Sequence, residues 1–130
     1  MVTYSATLND CEALVALRAA SGFPPDSLAL VAQQLAGSRW VESAWDGTRM
    51  VGFVRAVSDG VTVAYVASMM VEATYRRQGI RRELLRRLTA ERETVRFVLH
   101  ARDDAARSFY RECGFADLDR VLVYERKRRE

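Results

Sequence analysis

The stretch from Val61 to Leu88 constrains this chain more than any other. It opens with an apolar run (Val61, Val63, Ala64, Val66, Ala67, Met69, Met70 and Val71) that reads as a buried strand. It closes with Ile80, Leu84, Leu85 and Leu88 on one helical face and Arg82, Glu83 and Arg86 elsewhere, the pattern of an amphipathic helix. Between them lies Arg76-Arg77-Gln78-Gly79, a basic turn whose glycine lets backbone approach a ligand closely. A helix start presents unpaired N–H groups and a positive dipole end, which suits phosphate. Arginines around it add charge-assisted hydrogen bonds.

The chain has 130 residues, enough for one core, so a single domain over 1–130 is expected. No apolar run approaches the roughly 20 residues of a membrane span, and Met1-Val2-Thr3-Tyr4-Ser5 lacks a signal-peptide pattern. A soluble cytoplasmic protein with no membrane partner is the expectation. Cys11 and Cys113 stand far apart and read as core thiols. With a single histidine, His100, no metal centre is expected. Net charge is +3, modest for a nucleic-acid binder, and the arginines lack interleaved aromatics, so no nucleic-acid partner is expected. Arg86, Arg87, Arg92 and the tail from Arg126 to Arg129 read as solvated charge; Arg76, Arg77 and Arg81 beside Gly79 favour a phosphate partner.

In order, the pattern predicts a strand at 2–7, a helix opened by the capping pair Asn9 and Glu12, and a second helix begun by Pro24-Pro25 and ended by Gly37. Strands at 39–45, 50–57 and 61–71 follow, joined by Asp46-Gly47 and Asp59-Gly60 turns. Then come a helix at 79–91, a strand at 95–101, a helix at 103–113 ended by Gly114, and two short strands at 115–118 and 120–126. The 61–101 passage is one right-handed crossover, which puts the basic turn at the carboxyl end of a central strand, where α/β sheets bind ligands.

These residues resemble the GNAT superfamily of acetyl-CoA-dependent N-acetyltransferases. Arg76-Arg77-Gln78-Gly79-Ile80-Arg81 is similar to its Arg/Gln-x-x-Gly-x-Gly/Ala pyrophosphate signature. Val71-Glu72-Ala73-Thr74-Tyr75 is similar to its Val-x-Pro-x-Tyr. Asp103 through Phe115 resembles its Asn-x-x-Ala-x-x-Phe-Tyr-x-x-x-Gly-Phe block, and Asp46 through Phe53 its second hairpin. The resemblance implies an α/β (α+β) fold: a mixed, mostly antiparallel sheet of six to seven strands, with splayed central strands and four flanking helices. It implies acetyl-CoA as co-substrate and direct attack by a primary amine, of a small molecule or a protein, in a ternary complex. The backbone of Met69, Met70 and Val71 would pair with the pantetheine arm and polarise the thioester carbonyl. Arg76, Arg77, Gln78, Gly79, Ile80, Arg81 and Arg82 would hold the pyrophosphate, and Asp103 and Arg107 would also bind the cofactor. Tyr110 would be the acid that protonates the departing thiolate. Members also pair through edge strands, so a homodimer is an open expectation.

Three positions depart from the family pattern. Arg81 replaces the last motif glycine, where its side chain either reaches the phosphate or fills the site. Asp103 replaces asparagine, facing the pantetheine or starting a helix. Ser68 stands where a carboxylate often serves as, or positions, the base. An alkylamine titrates at about 10, so about one molecule in a thousand is neutral at pH 7; without a base that costs about 4 kcal/mol. Glu72 acting through water, or an acceptor of low pKa, is the alternative to a poor catalyst. A non-catalytic module that binds acyl-CoA or a protein is the competing reading. His100 reads as a satisfied sheet residue, and Trp40, Trp45, Tyr65 and Phe23-Pro24-Pro25 as acceptor pocket or plain core and loop.

Overall fold

The computed structural model describes residues 1–7 and 10–127. The chain forms two compact units, Met1–His100 and Ala101–Glu130.

The first unit is built on a five-stranded sheet in the order β1-β2-β3-β4-β5. Its strands are β1 (Val2–Ser5), β2 (Trp40–Asp46), β3 (Arg49–Ser58), β4 (Val63–Val71) and β5 (Arg96–Val98). The first three pairings are antiparallel and β4–β5 is parallel, as a crossover through a helix requires. The turn after β3 is organised by Asp59, whose Oδ1 accepts from the N–H groups of Val61 and Thr62, both at 2.8 Å. These bonds to the charged form hold the Asp59 carboxyl well below its usual pKa, the Thr62 hydroxyl contributing most.

One sheet face carries α1 (Cys11–Ala20) and α2 (Leu28–Ala36). Leu14, Leu17 and Val31 pack there against Met50, Phe53 and Met70, each buried side chain contributing about 1.5–3 kcal/mol. The cap of α1 is Asp10, whose Oδ1 accepts from the Ala13 N–H at 2.9 Å; the expected Asn9 cap lies outside the described residues. Helix α2 starts later than Pro24-Pro25 suggested. Ser27 caps it, accepting from the Leu30 N–H at 3.1 Å, because a side-chain acceptor satisfies a helix start that proline only tolerates.

The other face carries α3 (Ile80–Thr89), with Ile80, Leu84, Leu85 and Leu88 buried. A Cβ on Gly52 would lie 3.0 Å from Ile80 Cγ2 and 3.1 Å from Leu84 Cδ1. The missing side chain therefore lets the first turn of α3 settle onto β3.

The second unit contains α4 (Asp104–Glu112). Asp103 caps it, accepting from the Ala106 N–H at 2.8 Å, and Tyr110 meets Phe109 and Phe115 edge to face. Residues 115–127 form no strand, so the sheet has five strands rather than the expected six to seven. In this segment Asp117 forms ion pairs with Arg107 and Arg111 at 2.6 and 2.5 Å. Beyond it Leu122, Val123 and Tyr124 are almost fully exposed, with none of the cross-strand contacts that stabilise a strand.

Candidate active site

The β4–β5 ladder runs only from Val63↔Arg96 to Tyr65↔Val98. From Val66 to Val71 the β5 side of β4 has no strand partner among the described residues. A bulge lies in this segment. Phe53 faces Met70, but Arg55 faces Ala67, so β4 carries an extra residue, and Ser68 adopts a φ of 59°. A left-handed serine is uncommon, and a bulge of this kind bends a strand and re-aims its groups. A short β5 and a bulged β4 are the two irregularities of this part of the sheet.

At its carboxyl end β4 runs into a turn pinned to the β2–β3 hairpin. The Glu72 N–H donates to Val51 O at 2.9 Å. The Glu72 carboxylate pairs with Arg49 and accepts from the Thr74 hydroxyl at 3.1 Å. The Tyr75 hydroxyl donates to Asp46, which raises the Tyr75 pKa. Arg76 Nε donates to Val71 O at 3.3 Å. Arg77 and Gly79 then take φ values of 66° and 78°, and α3 begins.

Helices α1, α2 and α4 each begin with a side chain that caps them; α3 begins at Gly79 with no side-chain cap bond. Its first-turn N–H groups have no intrahelical acceptor, and an added Cβ on Gly79 would meet no protein atom within 4 Å. The space over the turn is open. Arg76, Arg77, Gln78, Arg81 and Arg82 are exposed around it, while Ile80 is buried beneath. Glu83, the one acid in this first turn, is engaged by Arg86 Nη2 at 2.6 Å and Arg87 Nε at 2.7 Å. The Arg86 bond, then that of Arg87, holds its carboxyl down at about 2. Its charge is thereby offset, and the turn stays attractive to an anion.

The other sequence candidates fall as follows. Met69, Met70 and Val71 lie on the stretch of β4 beyond the β5 ladder. The Ser68 hydroxyl accepts from Arg55 Nε at 3.0 Å. Glu72 is buried on the hairpin side of the turn, and its Oε2 has no hydrogen-bond partner among the described residues. In the second unit, Asp103 is the α4 cap, and Arg107 forms a two-pronged pair with Asp117 at 3.1 and 2.6 Å, which raises the Arg107 pKa. Trp45 packs against the core and donates to Ser43 Oγ at 2.8 Å. Trp40 meets Phe97 at a tilt of 36° and lies under Arg92, 4.2 Å from the ring centre; it sits at the far end of β2 from the turn. Tyr65 is half exposed. Phe23 lies under Arg18, whose Nη2 donates to Pro24 O at 3.1 Å. His100 lies past the end of β5 and is exposed, so it is not a sheet histidine; β5 is shorter than the apolar run implied. Among the described residues no group of three or more His, Cys, Asp or Glu could hold a metal ion, and no helix is long and apolar enough to cross a membrane. Sequence reasoning passed over Arg55, inside the expected strand at 50–57, and Arg49, just before it; a lone arginine inside Met50–Val57 was the available signal.

A mixed sheet with a bulged β4 and an uncapped, basic helix start at the carboxyl end of that strand defines the class, an α/β protein. Within that class, the family model for the GNAT acetyltransferase family matches residues 8–115, and the chain belongs to that family. Solved structures agree in fold. A GNAT family acetyltransferase from Streptococcus pneumoniae superposes with a TM-score of 0.80 at 24% identity, covering 98% of this chain and 100% of that one. The ribosomal-protein-S18-alanine N-acetyltransferase of Escherichia coli gives 0.75 at 23%, covering 91% and 79%. A protein of Clostridium acetobutylicum, predicted to be an acetyltransferase and solved with acetyl-CoA, gives 0.73 at 21%, covering 96% of each. No curated protein matches the sequence significantly.

Proposed function

We propose that this protein is an N-acetyltransferase that moves an acetyl group from acetyl-CoA to a primary amine, of a small molecule or a protein, by direct attack in a ternary complex. The observation that carries the reading is the uncapped start of α3, with left-handed Arg77 and Gly79 before it, beside the stretch of β4 after Tyr65 that has no strand partner on its β5 side among the described residues. Both features offer backbone N–H groups that a ligand satisfies. The turn from Arg76 to Arg82 holds the diphosphate, and Met69, Met70 and Val71 pair with the pantetheine amides as another strand would. Acetyl-CoA, when bound, supplies an acyl group already activated as a thioester.

The chain's own residues do the rest. A β4 N–H at the bulge polarises the thioester carbonyl. Tyr110 provides the proton for the departing thiolate, a role that rests on its place in the Asp103–Phe115 block. Ser68, held by Arg55, is no base. Glu72 or another group accepts the amine's proton through water, or the acceptor itself has a low pKa. The exposed Leu122, Val123 and Tyr124 support a homodimer that covers them, which sedimentation would detect.

Calorimetric titration with acetyl-CoA, CoA and adenosine bisphosphate tests the site. Micromolar binding of the first two is expected. Thiol release with a panel of amines then tests turnover; binding without any release would leave an acyl-CoA-binding module instead.

A further inference from the structure

Arg55 stands in the middle of β3 on the same face as Phe53, the face that α1 and α2 cover. It is partly buried. Its Nε donates to Ser68 Oγ at 3.0 Å and its Nη1 to Ser38 Oγ at 3.4 Å. Those are its hydrogen bonds among the described residues, and both acceptors are neutral. A guanidinium has five N–H donors, so most of its fork is unused. The nearby acid does not compensate it: Asp26 is held by Arg18 at 3.1 Å and also accepts from Gln34 at 3.2 Å. Burial, and next the charge of Arg18, lower the Arg55 pKa, while Asp26 and Tyr65 oppose them. A partly desolvated cation without an anion is costly, so this charge calls for a partner from outside.

The position says which molecule supplies it. Ser68 is the left-handed residue of the bulge, directly before the backbone assigned to the thioester. The guanidinium is one hydrogen bond from that point. We propose that Arg55 receives a carboxylate carried by the acceptor, so that the substrate is an amine bearing a carboxylate a few bonds away. The inference rests on the acetyl-transfer reading and adds the substrate class to it. A carboxylate suits the planar two-pronged donor. It also explains Ser68: an acid there would close on Arg55 and cancel the charge, whereas serine steadies the guanidinium and leaves it positive. A free amino acid and a peptide with an acidic first residue offer the same chemistry.

The test compares kcat/KM for carboxylates and their amides, each rate taken per concentration of unprotonated amine: glycine with glycinamide, β-alanine with β-alaninamide, and an Asp-Ala peptide with an Asn-Ala peptide. The wild type should favour the carboxylate by about tenfold or more, the range of a charged hydrogen bond. The first two pairs report a free amino acid, the third a peptide. Arg55→Gln should erase the preference, Arg55→Lys should keep part of it, and Ser68→Asp should erase it while preserving the arginine. Absence of a preference in the wild type overturns the inference, as does an equal loss on both members of a pair in Arg55→Gln, which would mean that Arg55 only steadies the bulge. Those results leave acetyl transfer standing. Failure to bind acetyl-CoA at all overturns that reading and this inference with it.

Discussion

Gly79→Ala separates what the turn does for the fold from what it does for a ligand. The residue has a φ of 78°, and an added Cβ would meet no protein atom within 4 Å. The only intrinsic cost is that of holding an alanine in the left-handed region, about 1–2 kcal/mol. Each kcal/mol lowers Tm by roughly 2–8 °C in a chain of this size. A diphosphate pressed against the turn changes the result, because the methyl group then occupies the space of an oxygen and holds it off the N–H donors. Losing even one charge-assisted hydrogen bond costs about 1.5–3 kcal/mol, which is roughly 10- to 150-fold in Kd. Gly22→Ala is the matched control: φ is 77°, and its added Cβ also meets nothing within 4 Å. The assay pairs urea denaturation with calorimetric titration of acetyl-CoA. Both variants should lose similar stability, and only Gly79→Ala should lose affinity beyond tenfold. Equal affinities in the two variants would refute the placement of the phosphate at this turn.

Other outcomes follow from the same structure. Tyr110→Phe should lower turnover by about 10²–10⁴-fold, the range of general acid catalysis, with little change in acetyl-CoA affinity; a proportionate loss of both would mark Tyr110 as packing. With Ser68 in place of a carboxylate, turnover should rise with pH up to the acceptor's own pKa, and a bell-shaped profile with an enzyme group near neutrality would contradict this. The Glu83 carboxyl is held down at about 2 by Arg86 and Arg87. Its folded pKa is depressed, so its stabilisation is complete above the ordinary carboxylate pKa of about 4.3 and fades as pH falls toward 2. Glu83→Gln should flatten the stability curve in that window, each surface pair contributing about 0.2–0.5 kcal/mol, as thermal melts at pH 2 to 6 would show.

Much of the site was legible locally. The switch from strand to helical periodicity around Gly79, the arginines beside it and the Asp-Gly hairpins are properties of neighbouring residues. They located β2, β3, β4 and α3 to within a few positions. Helix starts were less legible because several residues compete for one cap: Ser27 displaced Pro24-Pro25, and Asp10 took the cap of α1. The two short strands expected at 115–118 and 120–126 did not form, because a short apolar run such as Val121 to Tyr124 does not by itself supply the pairing partner that a strand needs.

The residue string by itself determined the basic turn, the amphipathic helix behind it and the kinship they imply, since each depends on spacing within a few turns of chain. Only the tertiary structure decided that β5 releases β4 after Tyr65, that β4 bulges at Ser68, that Arg49 claims Glu72, and that Arg55 sits beside the bulge without an anion. Those are matters of register between strands distant in sequence. A one-residue shift in pairing moves every following side chain to the other face, and no local pattern carries that information.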